Sequence, residues 1–163
     1  MAQPEEPAAG GTEVGEAYEA STNALEAAKS QRVSLRRAIA DLEGALTEAA
    51  RADTGSAGRL AAVLEHLREV WEVHIQVTEG PGGLYHEILE NTPRLANRVA
   101  RLRREHAELA EGVRAGLAAT RSAGVSDELR DRLLRLFADL TRHRKRGLDL
   151  VYEAYSVDIG GES

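Results

Sequence analysis

Three histidines, His74, His106 and His143, and one arginine, Arg32, interrupt four otherwise apolar stripes, one in each stripe. The first stripe reads Leu25, Ala28, Arg32, Leu35, Ile39, Leu42 and Leu46. The second reads Leu60, Val63, Leu67, Val70, His74 and Val77. The third reads Leu95, Val99, Leu102, His106, Leu109 and Val113, and the fourth Leu129, Leu133, Leu136, Leu140, His143, Gly147 and Leu150. Steps of three and four residues are the spacing that helices bury in antiparallel bundles. A polar side chain on such a seam must find a partner inside the protein. Four of them, one on each facing seam, point to a shared polar site. The plainer alternative is four residues satisfied separately by backbone or water. His66 lies one position off the second seam and His86 falls in a connecting turn, so both are expected at the surface.

These stripes require four helices. The first runs from about Glu16 to Asp53 and is broken by Thr54-Gly55-Ser56-Ala57-Gly58. The second runs from about Arg59 to Glu79 and stops at Gly80-Pro81-Gly82-Gly83. A short helical turn, Leu84 to Glu90, follows. Thr92 as N-cap and Pro93 at the first helical position open the third helix, which reaches Ser122. Gly124 ends that region, and Ser126 with Asp127 and Glu128 opens the fourth, which reaches Tyr155. No stretch alternates with the period of a strand. Short links leave an up-down-up-down order as the simple topology. The expected fold is therefore all-α, an antiparallel four-helix bundle over residues 17–155. It lies between a disordered acidic segment, 1–16, and a flexible tail, 156–163.

The chain's 163 residues suit one domain with an aliphatic core. Arginine outnumbers lysine 19 to 2, which with the abundant alanine and glycine suggests high-GC bacterial coding. The lack of cysteine removes disulfides, thiolate metal sites and cysteine nucleophiles. No signal peptide and no apolar run of the ~20 residues a membrane span needs are present, so the expected location is cytoplasmic with no membrane association. A net charge of −6 argues against nucleic acid as a partner. The basic run Arg142, Arg144, Lys145 and Arg146 reads as part of a solvated, mixed-charge face. Ser21, Ser30, Ser34 and Ser122 sit in no nucleophile motif, and Gly82-Gly83 follows a helix where a phosphate loop would follow a strand. No enzyme is expected. Val151, Tyr152 and Tyr155 are expected to pack on the Gly80–Gly83 turn. The start of the first helix, Tyr18 to Leu25, would overhang the bundle and offer a stripe to a homodimer or a protein partner.

The seam pattern resembles hemerythrin-like, or HHE cation-binding, domains. The resemblance spans roughly residues 20–155. It is carried by Gln31-Arg32-Val33-Ser34-Leu35-Arg36-Arg37, by Trp71-Glu72-Val73-His74 with Thr78-Glu79, by Leu102-Arg103-Arg104-Glu105-His106-Ala107-Glu108-Leu109, and by the depth of His143. It implies a four-helix bundle with non-heme iron in its core and a role in binding oxygen, nitric oxide or oxidants. Residue by residue it implies His74, His106 and His143 as metal ligands. The chain departs from the family pattern at Arg32, Thr78 and Ala110, and at Gly147 and Leu148, where histidines or carboxylates would stand. Three histidines and one carboxylate suit a mononuclear zinc or iron site. Glu79 is the candidate carboxylate, although five residues after His74 it points about 140° away on an ideal helix. Unwinding at Gly80-Pro81 would swing it inward. A fixed Arg32 cation would repel a metal and would seek Glu79 or Glu105. Three readings stand open: a metal-free polar network serving a protein-interaction or dimerisation module, a mononuclear site, and a di-iron site built from other ligands.

Overall fold

A computed structural model of the chain describes residues 10–51 and 54–156. Its helices are α1 (Gly10–Ala49), α2 (Ser56–Glu79), α3 (Leu84–Asn91), α4 (Ala96–Ala123) and α5 (Asp127–Ser156), with a 3-10 turn, Pro93–Leu95, leading into α4. The third and fourth helices expected from the sequence are thus α4 and α5. Helix α1 starts at Gly10, ahead of the expected Glu16. The expected N-terminal segment and tail fall largely on residues 1–9 and 157–163, outside the described residues.

Four long helices pack antiparallel as a bundle. Helix α1 lies against α2, α2 against α4, α4 against α5, and α5 closes the ring on α1. None of the described helices is long and apolar enough to cross a membrane. Left-handed glycines set the links. Gly55 (φ 88°) caps the start of α2, and Gly124 (φ 71°) ends α4, a backbone state that costs other residues strain. Glycine is also required at Gly83, where a Cβ would lie 2.8–3.0 Å from three backbone oxygens. From this turn α3 packs back against α2 and α1.

Two buried clusters make the core. One contains Leu35, Leu42, Leu67, Trp71, Leu109 and Leu140; the other contains Ala28, Tyr85, Ile88, Leu95, Leu102 and Leu150. Each buried leucine contributes about 1.5–3 kcal/mol. The histidines fall at the junction between the clusters: His106 comes between Leu102 and Leu109 along α4, and His143 between Leu140 and Leu150 along α5.

The α4 seam is buried as expected, as are the α5 seam except at half-buried Gly147 and the α1 seam except at half-buried Leu25 and Arg32, but the α2 seam is shifted. On α2 the buried residues are Leu60, Leu64, Leu67, Trp71, His74 and Thr78, while Val63, Val70 and Val77 are half-buried. Both sets obey the same three-and-four rhythm. The structure buries the one with the larger side chains, which removes more apolar area from water. On α1 the inward residue at the site is Gln31, and Arg32 is only half-buried. Arg32 is therefore not the core member that the stripe suggested. Its long stem lets the guanidinium reach the edge, where Nε donates to the Ala28 carbonyl at 3.3 Å. The C-terminal tyrosines also depart from expectation. Tyr155 donates to Glu87 on α3 at 2.6 Å, and Tyr152 is 76% exposed.

Candidate metal centre

His74 of α2, His106 of α4 and His143 of α5 converge in one layer. All three are buried. His74 Nε2 lies 3.1 Å from His106 Nε2 and 3.4 Å from His143 Nε2. A tetrahedral metal 2.0–2.1 Å from each of two imidazole nitrogens holds those nitrogens about 3.3 Å apart. Among the described residues, one ligand atom from each histidine falls within 4.8 Å of those of the other two. The cluster could hold a metal ion.

The Nδ1 atoms of His143 and His106 are held from behind. His143 Nδ1 is 2.8 Å from Glu105, and His106 Nδ1 is hydrogen-bonded to Glu79. In a neutral imidazole facing a carboxylate, Nδ1–H donates and Nε2 keeps its lone pair. Two lone pairs are thereby aimed at the centre. A ligating histidine that gives its second N–H to a carboxylate is the usual arrangement in metal sites. Glu105 is fixed in turn by Arg146, with which it forms an ion pair, and by Arg101 at 3.3 Å.

The single tryptophan supports all three rings. Trp71 lies 5.1, 5.6 and 5.2 Å from the ring centroids of His74, His106 and His143. Its indole N–H donates to the His106 carbonyl at 3.2 Å. Gln31 donates to the Val70 carbonyl at 2.8 Å and fixes α1 to α2 one residue before Trp71. Tyr85 of α3 stacks on His106, with the rings 10° from parallel.

Burial keeps the histidines neutral. His74 is held down to about 3 by burial and then by the His143 charge. His106 is held down to about 2 by burial, by the two neighbouring imidazoles and by Arg103. Burial also lowers His143, against the pull of its hydrogen bond to Glu105. Burial pushes the Glu105 carboxyl up, but the His143 hydrogen bond and charge and the Arg146 guanidinium together hold it below its ordinary value. Glu79 is raised by burial, in part offset by Arg103. Neutral imidazoles are the form that binds metals.

Glu79, named from the sequence as a candidate ligand, reaches the layer from the back of His106. No unwinding at Gly80-Pro81 brings it there. Helix α2 continues through Glu79, and the Gly80 amide still donates to the Gln76 carbonyl at 2.9 Å. Glu79 and Glu105, the partners expected for Arg32, are instead engaged by His106 and His143. His66 and His86 are exposed, and His86 pairs with Glu90 at 3.1 Å.

Sequence reasoning missed Trp71 and Tyr85. For Trp71 the signal was present, because Leu60, Leu64, Leu67, Trp71 and His74 keep the heptad spacing. For Tyr85 none was, since its approach depends on the turn that folds α3 back. No family model, no curated protein and no solved structure matches the chain.

Proposed function

We propose that this protein binds one first-row transition-metal ion through Nε2 of His74, His106 and His143. Glu79 and Glu105 orient two of the ligands from behind. The observation that carries this reading is the double-sided arrangement of the rings: metal-ligand spacing on the Nε2 side and carboxylates on the Nδ1 side. A purely structural network would use the same inward contacts as hydrogen bonds between imidazoles and take up no metal.

The resemblance to hemerythrin-like domains makes iron the ion, with oxygen, nitric oxide or another oxidant as what the ion meets. The role is then binding or sensing, without turnover of a substrate. Three imidazoles leave positions for an exogenous ligand. The donor set does not suit a pair of irons, because both nearby carboxylates face Nδ1 atoms and neither is placed to bridge two metals. The test is elemental analysis of protein expressed with added iron and purified without chelator. About one metal per chain supports the reading, and loss of that metal in His74→Ala with normal helicity supports the assignment. Metal-free wild-type protein from such expression would remove it.

A second reading, a metal-free interaction module, draws on α1. At 40 residues α1 is the longest helix, about 60 Å against about 45 Å for α5. Near its start Val14 and Tyr18 are 71% and 74% exposed. That stretch would serve a homodimer or a protein partner whether or not metal is bound.

A further inference from the structure

We propose that Tyr85 is the fourth protein ligand of this centre, and that its phenolate oxygen makes the site one for ferric iron. The proposal rests on the three-histidine reading above. Tyr85 is buried on α3, and its Oη lies 3.5 Å from His106 Nε2. That separation is long for a hydrogen bond but close to the about 3.3 Å expected between two ligands of one tetrahedral ion. The nitrogen approached is the one facing His74, not the one held by Glu79.

A second observation places the phenol with the other two histidines. A cavity of about 30 Å³ among α1, α2, α3 and α5 is walled by His74, His143 and Tyr85 together, with Thr78, Arg32 and Arg144. That is room for a water or a ligand of a few atoms. Tyr85 thus shares the cavity with His74 and His143 and, outside it, approaches Nε2 of His106, so its oxygen lies beside all three histidines. The phenol is held there by its own element. Leu84 and Ile88 on either side of it are buried, and the close approach at Gly83 fixes the start of α3.

An anionic oxygen bound directly to the ion stabilises a trivalent ion more than a divalent one, because the attraction scales with the ion's charge. The Arg32 and Arg144 cations, which repel the ion, stand farther off at the cavity wall and near solvent. On binding, Tyr85 loses its phenolic proton to solvent and an O–Fe(III) bond forms. The iron does not change oxidation state in this step. Without metal the phenol has a local partner in Thr78, so the ordinary alternative is a buried tyrosine that stays protonated.

The test titrates metal-free protein with ferric nitrilotriacetate and, separately, with zinc. Visible absorption and resonance Raman spectra are read for the phenolate-to-iron charge-transfer band, and elemental analysis gives the metal content of the same samples. Wild type, Tyr85→Phe and Tyr152→Phe are compared, the last being an exposed control. The expected wild-type result is one ferric ion per chain with a phenolate band. Tyr85→Phe should lose the band, or lose ferric iron while keeping zinc, and Tyr152→Phe should keep both band and iron. Bound iron without a phenolate band, a band that survives in Tyr85→Phe, or loss of both iron and zinc in that variant would overturn the role of Tyr85. Those first two results would leave the three-histidine reading intact. Wild type that takes up neither metal would end that reading too.

Discussion

Glu105 lies 2.8 Å from Nδ1 of His143, on the opposite side of the ring from the nitrogen that faces His74. The carboxylate therefore decides which nitrogen carries the proton, and leaves the inward one free to bind. The substitution Glu105→Gln keeps the shape of the side chain and removes its charge. Metal affinity should fall about 10–100-fold, the usual cost of losing such a partner. A competition titration against a chelator of known affinity measures it. Unchanged affinity would mean that Glu105 only neutralises Arg146.

His106 separates a metal site from a structural network. In His106→Leu the metal-free protein should keep its stability within about 1 kcal/mol or gain some, because an apolar side chain of similar size replaces a buried polar one. Glu79, partly exposed, can turn to water. The rise in melting temperature that excess metal gives wild type should vanish in this variant, since ligand binding to the folded state is what produces it. Thermal unfolding with and without zinc reads both. A metal-induced rise that persists in His106→Leu would count against this histidine as a ligand.

Acid should destabilise the metal-free protein over an unusual range. In the unfolded chain a histidine titrates near 6.5, whereas burial holds His74 down to about 3 and His106 to about 2. Between these values the unfolded chain binds more protons than the folded one, so stability falls as pH falls. The contribution is complete above pH 6.5. Its slope is about 1.4 kcal/mol per pH unit for each fully shifted histidine. Glu79, raised by burial, acts in the opposite direction above its ordinary value, one group against three. Urea midpoints followed from neutral pH downwards should drop in wild type and stay flatter when all three histidines are replaced by leucine. Parallel pH profiles would contradict the burial of neutral imidazoles.

Trp71 should be the most costly single truncation near the site. It is fully buried and packs on all three imidazoles. Trp71→Ala should cost about 3–5 kcal/mol, and metal affinity should fall with it as the rings lose their common support. Denaturant unfolding checks the first and zinc titration the second. A loss under about 1 kcal/mol would mean that the layer is loosely packed.

Much of this was legible in the residues. The α4 and α5 stripes are each interrupted by one histidine, and that pattern was enough to place His106 and His143 at a common depth. The α2 stripe was ambiguous because two registers with the same rhythm pass through His74, and side-chain volume, not spacing, chose the one through Trp71. Arg32 looked like a core residue because a 3.5-residue repeat fits position 32 as well as position 31. The long side chain escapes to the edge and the short amide of Gln31 goes in. The parts that could not be read are those set by tertiary approach. The carboxylate behind each ring comes from a neighbouring helix, and Tyr85 arrives through a glycine turn whose direction no local pattern fixes.

The central claim is that three imidazoles share one metal, and X-ray absorption at the metal edge tests it most directly. Protein loaded with one equivalent of zinc or iron should show three imidazole ligands, with nitrogen at about 2.0–2.1 Å for zinc and the outer-ring scattering that marks histidine. A first shell of oxygens alone, or imidazole scattering unchanged when His74, His106 and His143 are replaced, would contradict it.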